Sequence, residues 1–133
     1  MLEYTGIRVR DLERSRRFYC EGLGLRPGAE GRMAAGGIWA ELVDPESGAV
    51  LELNLYPDNP PYREGDELDH LGFRVRGLAE TVTRLVRLGG RVRIPPFEED
   101  GTRFAFLSDP DGAWVELYEP VAPDQPPTSQ RVE

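Results

Sequence analysis

The stretch "YTGIRVRDLERS" at residues 4–15 returns as "HLGFRVRGLAET" at residues 70–81. Further along the chain, "AELVDPESGAVLELNLYP" (40–57) has a counterpart in "AFLSDPDGAWVELYEP" (105–120), with small gaps. Two matches in the same order indicate that one structural module has been duplicated. The identical positions of the first match are Gly6, Arg8, Val9, Arg10 and Leu12, which fall on Gly72, Arg74, Val75, Arg76 and Leu78.

Each half of the chain has the pattern of a strand, a helix and three further strands. Residues 4–10 alternate between apolar and polar side chains, which is typical of a half-buried strand. Asp11 is a good N-cap for a helix, and Gly22 or Gly24 would end that helix, as Gly89-Gly90 would end its repeat. Strands are expected near 37–43, 49–56, 103–107 and 113–119, with shorter ones near 25–33 and 91–94. The predicted apolar helix stripes are Leu12, Phe18, Tyr19 and Leu23, and Leu78, Val82, Leu85 and Val86.

These elements predict an α+β fold of two tandem βαβββ modules that form a curved mixed sheet with a central cleft. All 133 residues fit a single domain. Module one is expected to cover about 3–56 and module two about 69–120. The segment 57–68 is rich in proline and acidic residues and reads as a connecting loop, and 121–133 as a disordered tail.

The charge of the chain restricts its partners. A formal net charge of −8 argues against nucleic acids and anionic membranes, because both are polyanions. Cys20, the only cysteine, cannot form an internal disulfide, and no stretch is apolar enough for a signal peptide or a membrane span. We therefore expect a cytoplasmic protein, with Cys20 as a small core residue rather than a nucleophile.

The only histidine, His70, is ambiguous by itself. It could be a core residue with satisfied nitrogens, a general base or a metal ligand. The repeat places His70 on Tyr4 and Glu116 on Glu52, and all four belong to the polar faces of their strands. If the modules pair about a pseudo-twofold axis, these side chains point to a common centre, where two carboxylates and an imidazole suit a divalent metal. The alternative is that both glutamates face solvent on half-exposed strands.

At this point the sequence resembles the vicinal oxygen chelate superfamily, whose members contain paired βαβββ modules. The resemblance rests on "VRDLERSRRFYCEGLGL" (9–25), "DHLGFRV" (69–75) and "FLSDPDGAWVELYEP" (106–120), and it covers residues 3–120. The most similar pattern is that of glyoxalase I, whose ligands are His or Gln, then Glu, His and Glu. The resemblance implies metal ligands at Glu52, His70 and Glu116, with Tyr4 at the first ligand position.

The resemblance also implies a reaction and an assembly. We expect a glyoxalase I-like lyase that removes a proton next to a carbonyl, with enediolate stabilisation by Ni, Co, Mn or Zn. Glu116 would be the ligand that doubles as base, and Glu52 its acid–base partner. Three roles are open to Tyr4: a phenolate ligand, a hydrogen-bond partner of a metal-bound water, or a side chain turned away from the site. The substrate would be a small molecule, and a homodimer is expected.

Further residues are candidate substrate contacts. Arg8 occupies the position where glyoxalase I binds a glutathione carboxylate, although an ion pair with nearby glutamates is an equal alternative. Tyr56 stands where glyoxalase I has an asparagine that helps to hold glutathione, and Asn54 is nearby. Trp114 is the fourth candidate. The lack of a second histidine argues against extradiol dioxygenase and fosfomycin-resistance chemistry, because these relatives use two histidines and one carboxylate.

The second hypothesis is a metal-free protein that sequesters a small ligand, like the bleomycin-resistance members of the superfamily. The loss of the first metal ligand favours this alternative, and retention of the other three opposes it. The side chains that could line such a pocket are Trp39, Tyr56, Trp114 and Tyr118.

Overall fold

The computed structural model describes residues 1–34, 36–56, 65 and 68–121. Module one contains β1 (Thr5–Val9), α1 (Leu12–Leu23), β2 (Arg26–Arg32), β3 (Ile38–Val43) and β4 (Val50–Leu55). Module two repeats this order with β5 (Leu71–Arg74), α2 (Leu78–Arg87), β6 (Arg91–Glu99), β7 (Thr102–Ser108) and β8 (Trp114–Pro120). The predicted α+β class and the two βαβββ modules are therefore confirmed. The predicted loop and tail lie almost entirely outside the described residues.

The strands form two hydrogen-bonded sheets of four, whereas the sequence predicted one curved sheet. Their orders are β1-β4-β3-β2 and β5-β8-β7-β6. β1 runs parallel to β4, and β5 runs parallel to β8. The remaining pairs in each sheet are antiparallel. Each module thus completes its own mixed sheet, with the βα connection leading across one face.

The two helices share a core between the modules. Leu51 and Leu53 are buried on one face of β4, as Val115 and Leu117 are on β8, and these apolar faces are the ones covered by α1 and α2. The helices also contact each other, and Gly22 lies so close to Leu85 that a Cβ there would require the Leu85 side chain to move. The other faces of both sheets therefore point away from the helices.

The predicted helix signals are confirmed, with one exception. The Asp11 side chain accepts from the Arg14 backbone N–H at 3.0 Å, and Gly24 ends α1 at a left-handed φ of 82°. Phe18 and Tyr19 are fully buried. The expectation for Val86 was wrong, because its side chain is 47% exposed on α2 and Leu88 packs against the core instead.

The strand expected near 91–94 extends to Glu99. The sequence pattern did not predict residues 95–99 as part of the strand, because residues 95 and 96 are prolines and proline normally interrupts a strand. β6 is the edge strand of its sheet, and the edge tolerates residues that cannot donate to a ladder. Its pairing with β7 shifts register on both sides of Ile94, as bulged edges do.

The Asp-Pro turns predicted for both modules are present, but the turn of module two is buried and the turn of module one is at the surface. Among the described residues, the Asp44 side chain accepts hydrogen bonds only from the nearby backbone N–H groups of Glu46 and Ser47. Asp109 and Asp111 are each 2% exposed and reach across to α1. Neither described helix is long and apolar enough to cross a membrane.

Candidate functional site

Module two brings His70 and Glu116 together. His70 immediately precedes β5, whose Gly72 pairs with Glu116 on β8, so both side chains lie on the face opposite α2. The His70 Nε2 lies 3.4 Å from Glu116 Oε2. The His70 ring also meets the Phe106 ring edge to face, with centroids 5.9 Å apart. A predicted pair of ligands is therefore adjacent in the structure.

The surroundings of His70 direct one nitrogen toward Glu116. Asp69 Oδ2 lies 2.6 Å from Nδ1, a contact that orients the ring with Nε2 toward Glu116. Nε2 is buried and has no hydrogen-bond partner among the described residues. A carboxylate that orients a histidine in this way is a common partner of metal-bound imidazoles. The donor pair therefore fits a divalent metal ion.

Module one presents the corresponding pair in a different form. Glu52 on β4 pairs with Gly6 on β1, as Glu116 pairs with Gly72 in module two. Tyr4, at the position that matches His70, is 53% exposed. Glu52 is half-buried. The half-site of module one therefore has one carboxylate where the sequence predicted it, beside an exposed phenol.

The common centre predicted for all four residues is not formed within one chain. Among the residues described, no three His, Cys, Asp or Glu side chains are close enough to hold one metal ion. The reason is the packing of the modules: α1 and α2 meet each other on the inner faces of the sheets, and the candidate ligands occupy the opposite faces. One chain presents two half-sites, with Tyr4 and Glu52 on one sheet and His70 and Glu116 on the other.

Three of the four candidate substrate contacts are grouped in module one. The Arg8 guanidinium lies over the Tyr56 ring, 4.5 Å from its centroid, and Arg8 pairs with Asn54 in the β1–β4 ladder. The Tyr56 hydroxyl contacts the Met33 sulfur at 3.2 Å. Trp114, the fourth candidate, lies on the other sheet and is 38% exposed. The group therefore belongs to the Glu52 half-site.

Three phenylalanines that the sequence did not single out, Phe97, Phe104 and Phe106, line the half-site of module two. Phe97 stacks on Phe104 at 5.4 Å, and Phe106 lies 6.3 Å from Trp114. Cross-strand pairing of Phe106 with Glu116 puts them on one face, a relation that the register of the β7–β8 hairpin could have revealed. The four predicted pocket-lining aromatics are divided between the sheets, with Trp39 and Tyr56 on module one and Trp114 and Tyr118 on module two.

Glu41 is a further residue that sequence reasoning missed. It pairs directly with Glu52 in the β3–β4 ladder, so both side chains emerge on the same face. The signal was the alternation of residues 38–43, which places Trp39, Glu41 and Val43 together. The half-site of module one therefore carries two facing carboxylates.

A cavity of about 580 Å³ lies away from these half-sites. It opens where α1 ends and α2 begins, and it contains none of the candidate ligands. Its lining residues include Gly22, Gly24, Glu46, Arg74, Arg76 and Arg84.

Cys20 is half-buried on α1 and packs against the core, as expected. Burial raises the pKa of its thiol; Arg16 lowers it in part, and Glu21 adds to the rise. A raised thiol pKa disfavours the nucleophilic thiolate. Cys20 is therefore a packing residue.

Comparison with known proteins agrees with the fold. Residues 1–117 match the Glyoxalase/Bleomycin resistance protein/Dioxygenase superfamily. A probable lactoylglutathione lyase of Synechocystis is 33% identical over 127 residues, covering 89% of this chain and 94% of the relative. A lactoylglutathione lyase of Salmonella typhimurium is 32% identical, covering 89% and 91%. The trypanothione-dependent glyoxalase I of Leishmania major superposes with a TM-score of 0.75 at 30% identity, covering 90% and 86%.

Proposed function

The chain belongs to the Glyoxalase/Bleomycin resistance protein/Dioxygenase superfamily, and from that membership we propose that it is a metal-dependent, glyoxalase I-like lyase. Its substrate would be a small 2-oxoaldehyde joined to a thiol carrier as a hemithioacetal. The lone cysteine is compatible with a reducing, cytoplasmic location.

The observation that carries this proposal is the contact between His70 and Glu116. The buried His70 Nε2 makes no hydrogen bond among the described residues and lies 3.4 Å from the Glu116 carboxylate, so one divalent metal ion could bind both groups. Ni, Co, Mn and Zn all accept imidazole and carboxylate donors. Glu52 would add a carboxylate, and Tyr4 remains a conditional fourth contact.

We propose that a homodimer completes the site. The two half-sites lie on faces that the helices do not cover, so a second chain can bring its module one against module two of the first. A twofold axis would then create two equivalent sites, each with Tyr4 and Glu52 from one chain and His70 and Glu116 from the other. This arrangement explains why donors that match in the repeat are apart in a single chain.

Within such a site, the carboxylates perform the proton transfer. Glu116 would remove the proton from the carbon that carries the hydroxyl and the sulfur, next to the carbonyl. A divalent metal would supply positive charge that stabilises the resulting enediolate. The proton is then delivered to the neighbouring carbon, so the hemithioacetal becomes a 2-hydroxyacyl thioester with no net change in atoms. Glu52 would act as the acid–base partner. Glu116 is only 5% exposed, which limits proton exchange with water.

Arg8 would bind a carboxylate of the thiol carrier. Its guanidinium is held over the Tyr56 ring, so its orientation is partly fixed before a ligand arrives. Pairing of Arg8 with Asn54 adds an amide beside the same position. The group favours an anionic, peptide-like carrier, and Trp114 and Phe106 would contact the apolar end of the substrate from the other half-site.

The second candidate is a metal-free binding protein. It is favoured by the exposed Tyr4 at the first ligand position and by the aromatic surface around Phe97, Phe104 and Trp114. A dimer that joins the two sheets would enclose these rings as a ligand pocket. In that case His70 and Glu116 would form a structural pair.

Metal analysis separates the two candidates. Purified protein is stripped with a chelator, incubated separately with Ni²⁺, Co²⁺, Mn²⁺ or Zn²⁺, desalted and assayed for bound metal. The lyase proposal predicts about one ion per chain, and His70→Ala should lose it. Metal content at background for the wild-type protein with every one of the four metals would remove the metalloenzyme.

The narrower assay measures conversion of the methylglyoxal–glutathione hemithioacetal by the metal-loaded protein. Thioester formation with at least one metal is expected. A protein that binds metal but turns over neither this adduct nor the corresponding trypanothione adduct would lack the proposed lyase activity on these carriers.

A further inference from the structure

We propose that Glu41 is a metal-binding residue that compensates for Tyr4 in the half-site of module one. This inference rests on the metal-dependent function proposed above. It adds to that site a carboxylate from β3, a strand that contributes none of the four ligands predicted from the repeat. The donors of module one would then be two facing carboxylates instead of an imidazole and a carboxylate.

The register of the β3–β4 ladder places the two carboxylates together. Glu41 and Glu52 are direct partners in an antiparallel pair, and such partners have Cβ atoms about 4.5–5.5 Å apart on one face. Both residues are half-buried. Two carboxylates that start this close can converge on a single cation.

Their pairing carries a cost that a cation would relieve. Like charges directly opposite each other destabilise a sheet, and partial burial strengthens the repulsion. None of the ion pairs formed by the described residues involves Glu41 or Glu52. The pair lies on the two inner strands of its sheet, so the two glutamates cannot separate by local opening of an edge strand. A divalent ion would neutralise this pair.

Module two shows that the Glu41 position faces the site. Its counterpart there is Phe106, which pairs with Glu116 as Glu41 pairs with Glu52. The Phe106 ring contacts the ring of His70, 5.9 Å away. Because the modules are repeats, the same position in module one lies beside Tyr4 and Glu52. The change from an aromatic ring to a carboxylate therefore occurs at a site-lining position.

The other half-site would supply the remaining donors for the same ion. The Glu116 side chain is 7% exposed, and its described polar contact is the 3.4 Å approach of His70 Nε2. That nitrogen is itself buried without a hydrogen-bond partner among the described residues. The half-site that would face Glu41 and Glu52 in the proposed dimer thus holds a nearly buried carboxylate beside a buried imidazole nitrogen.

The test compares metal affinity in Glu41→Gln with a matched control. Metal-free wild-type, Glu41→Gln and Glu99→Gln proteins are titrated with Mn²⁺ by calorimetry, with Zn²⁺ as a second probe. Glu99 is an exposed strand glutamate of module two, so its variant removes the same charge away from the site. Thermal unfolding of each protein, with and without metal, checks that the variants are folded.

Glu41→Gln should weaken metal binding by about tenfold or more, and Glu99→Gln should stay within about twofold of wild type. Without metal, Glu41→Gln should unfold about 1–4 °C higher, because the repulsion with Glu52 is gone. With saturating metal, its gain in unfolding temperature should be smaller than that of wild type.

Two results would overturn the proposal: one would leave the metal site in place, and the other would remove the site as well. Wild-type protein that binds metal, with a Glu41→Gln affinity equal to that of Glu99→Gln, would remove Glu41 from a site that itself stands. Wild-type protein that binds neither Mn²⁺ nor Zn²⁺ here, nor Ni²⁺ or Co²⁺ in the metal analysis, would remove the metal-dependent function together with this inference.

Discussion

The two modules share one backbone plan but present different donors. Module two holds His70 beside a nearly buried Glu116, with Asp69 orienting the ring. Module one has the exposed Tyr4 and the half-buried Glu52 at the matching positions. Duplication thus preserved the strands that aim the side chains, while the side chains diverged. We infer that module two supplies the preorganised half of the site and that module one supplies the adaptable half.

The Asp-Pro turns differ in the same direction. Tyr19 donates to Asp109 at 2.8 Å, and Ser15 donates to Asp111 at 3.1 Å, so α1 of module one is tied to the turn of module two. The Arg14 guanidinium also donates to Asp111, at 2.9 Å. The turn that begins at Asp44 lies at the surface. Module two therefore also fixes the relation between the modules.

The largest expected effect concerns the two candidate bases. Glu116→Gln should lower kcat for the hemithioacetal by about 100-fold or more, because it removes the carboxylate assigned to proton abstraction. Glu52→Gln should lower kcat by about tenfold, as expected for a supporting acid–base partner. Steady-state kinetics at saturating metal compares them, with Glu99→Gln as the control. Equal losses would mean that the two halves share the proton transfer.

The buried turn should matter more for stability than the surface turn. Asp109→Ala leaves the Tyr19 hydroxyl and two backbone N–H groups without their acceptor, at a cost of about 3 kcal/mol in the free energy of unfolding. Asp44→Ala removes exposed acceptors only and should cost about 1 kcal/mol or less. Urea unfolding measures both. Similar costs for the two variants would contradict the assigned role of module two.

Restoring an imidazole to module one should reduce the difference between the half-sites. Tyr4→His places the strong donor of the His70 position on the matching strand end, so affinity for Zn²⁺ should rise by about tenfold. Tyr4→Phe removes only the hydroxyl and serves as the comparison. An unchanged affinity in Tyr4→His would show that the side chain at position 4 points away from the metal.

The smallest expected effect is a pH dependence that belongs to module two. Burial raises the pKa of Asp109, with partial opposition from its hydrogen bonds with Tyr19 and the backbone of Ala113 and Asp111. The folded protein therefore binds this proton more tightly than the unfolded chain does. The contribution of Asp109 to the free energy of unfolding should fall as pH rises from the ordinary aspartate range through the raised folded-state pKa. Asp109→Asn should abolish that fall and Asp44→Asn should keep it, as followed by urea unfolding at several acidic pH values.

Much of the architecture could be predicted from the sequence because the same pattern of strands, helix and turns occurs in both halves of the chain. The N-cap at Asp11, the helix stop at Gly24 and both Asp-Pro turns are local signals with local causes. The prediction that Val86 faces the core was wrong, because the spacing of apolar residues does not show which side of the apolar helix face is covered by the rest of the protein. β6 was underestimated because its prolines are tolerated only at a sheet edge, and edges are a tertiary property.

The candidate site residues could be named from the sequence, but their arrangement could not be. Alternation predicted that Glu52 and Glu116 lie on the polar faces of their strands, and the structure places both opposite the helices, yet pairing of the modules decides which faces meet. Helix packing between the modules separates Tyr4 and Glu52 from His70 and Glu116. Local sequence patterns do not show how the modules pack against each other. Glu41 became visible only through the register of β3 against β4.

The most direct test of the composite site uses a dimer of two different variants. His70→Ala and Glu52→Ala chains are coexpressed with different affinity tags, and the heterodimer is purified through both. If each site joins module one of one chain to module two of the other, the heterodimer has one intact site and one with both changes. It should bind about one Zn²⁺ ion per dimer, where the wild type binds about two and either parent homodimer almost none. A heterodimer that binds no more Zn²⁺ than its parents would contradict the account.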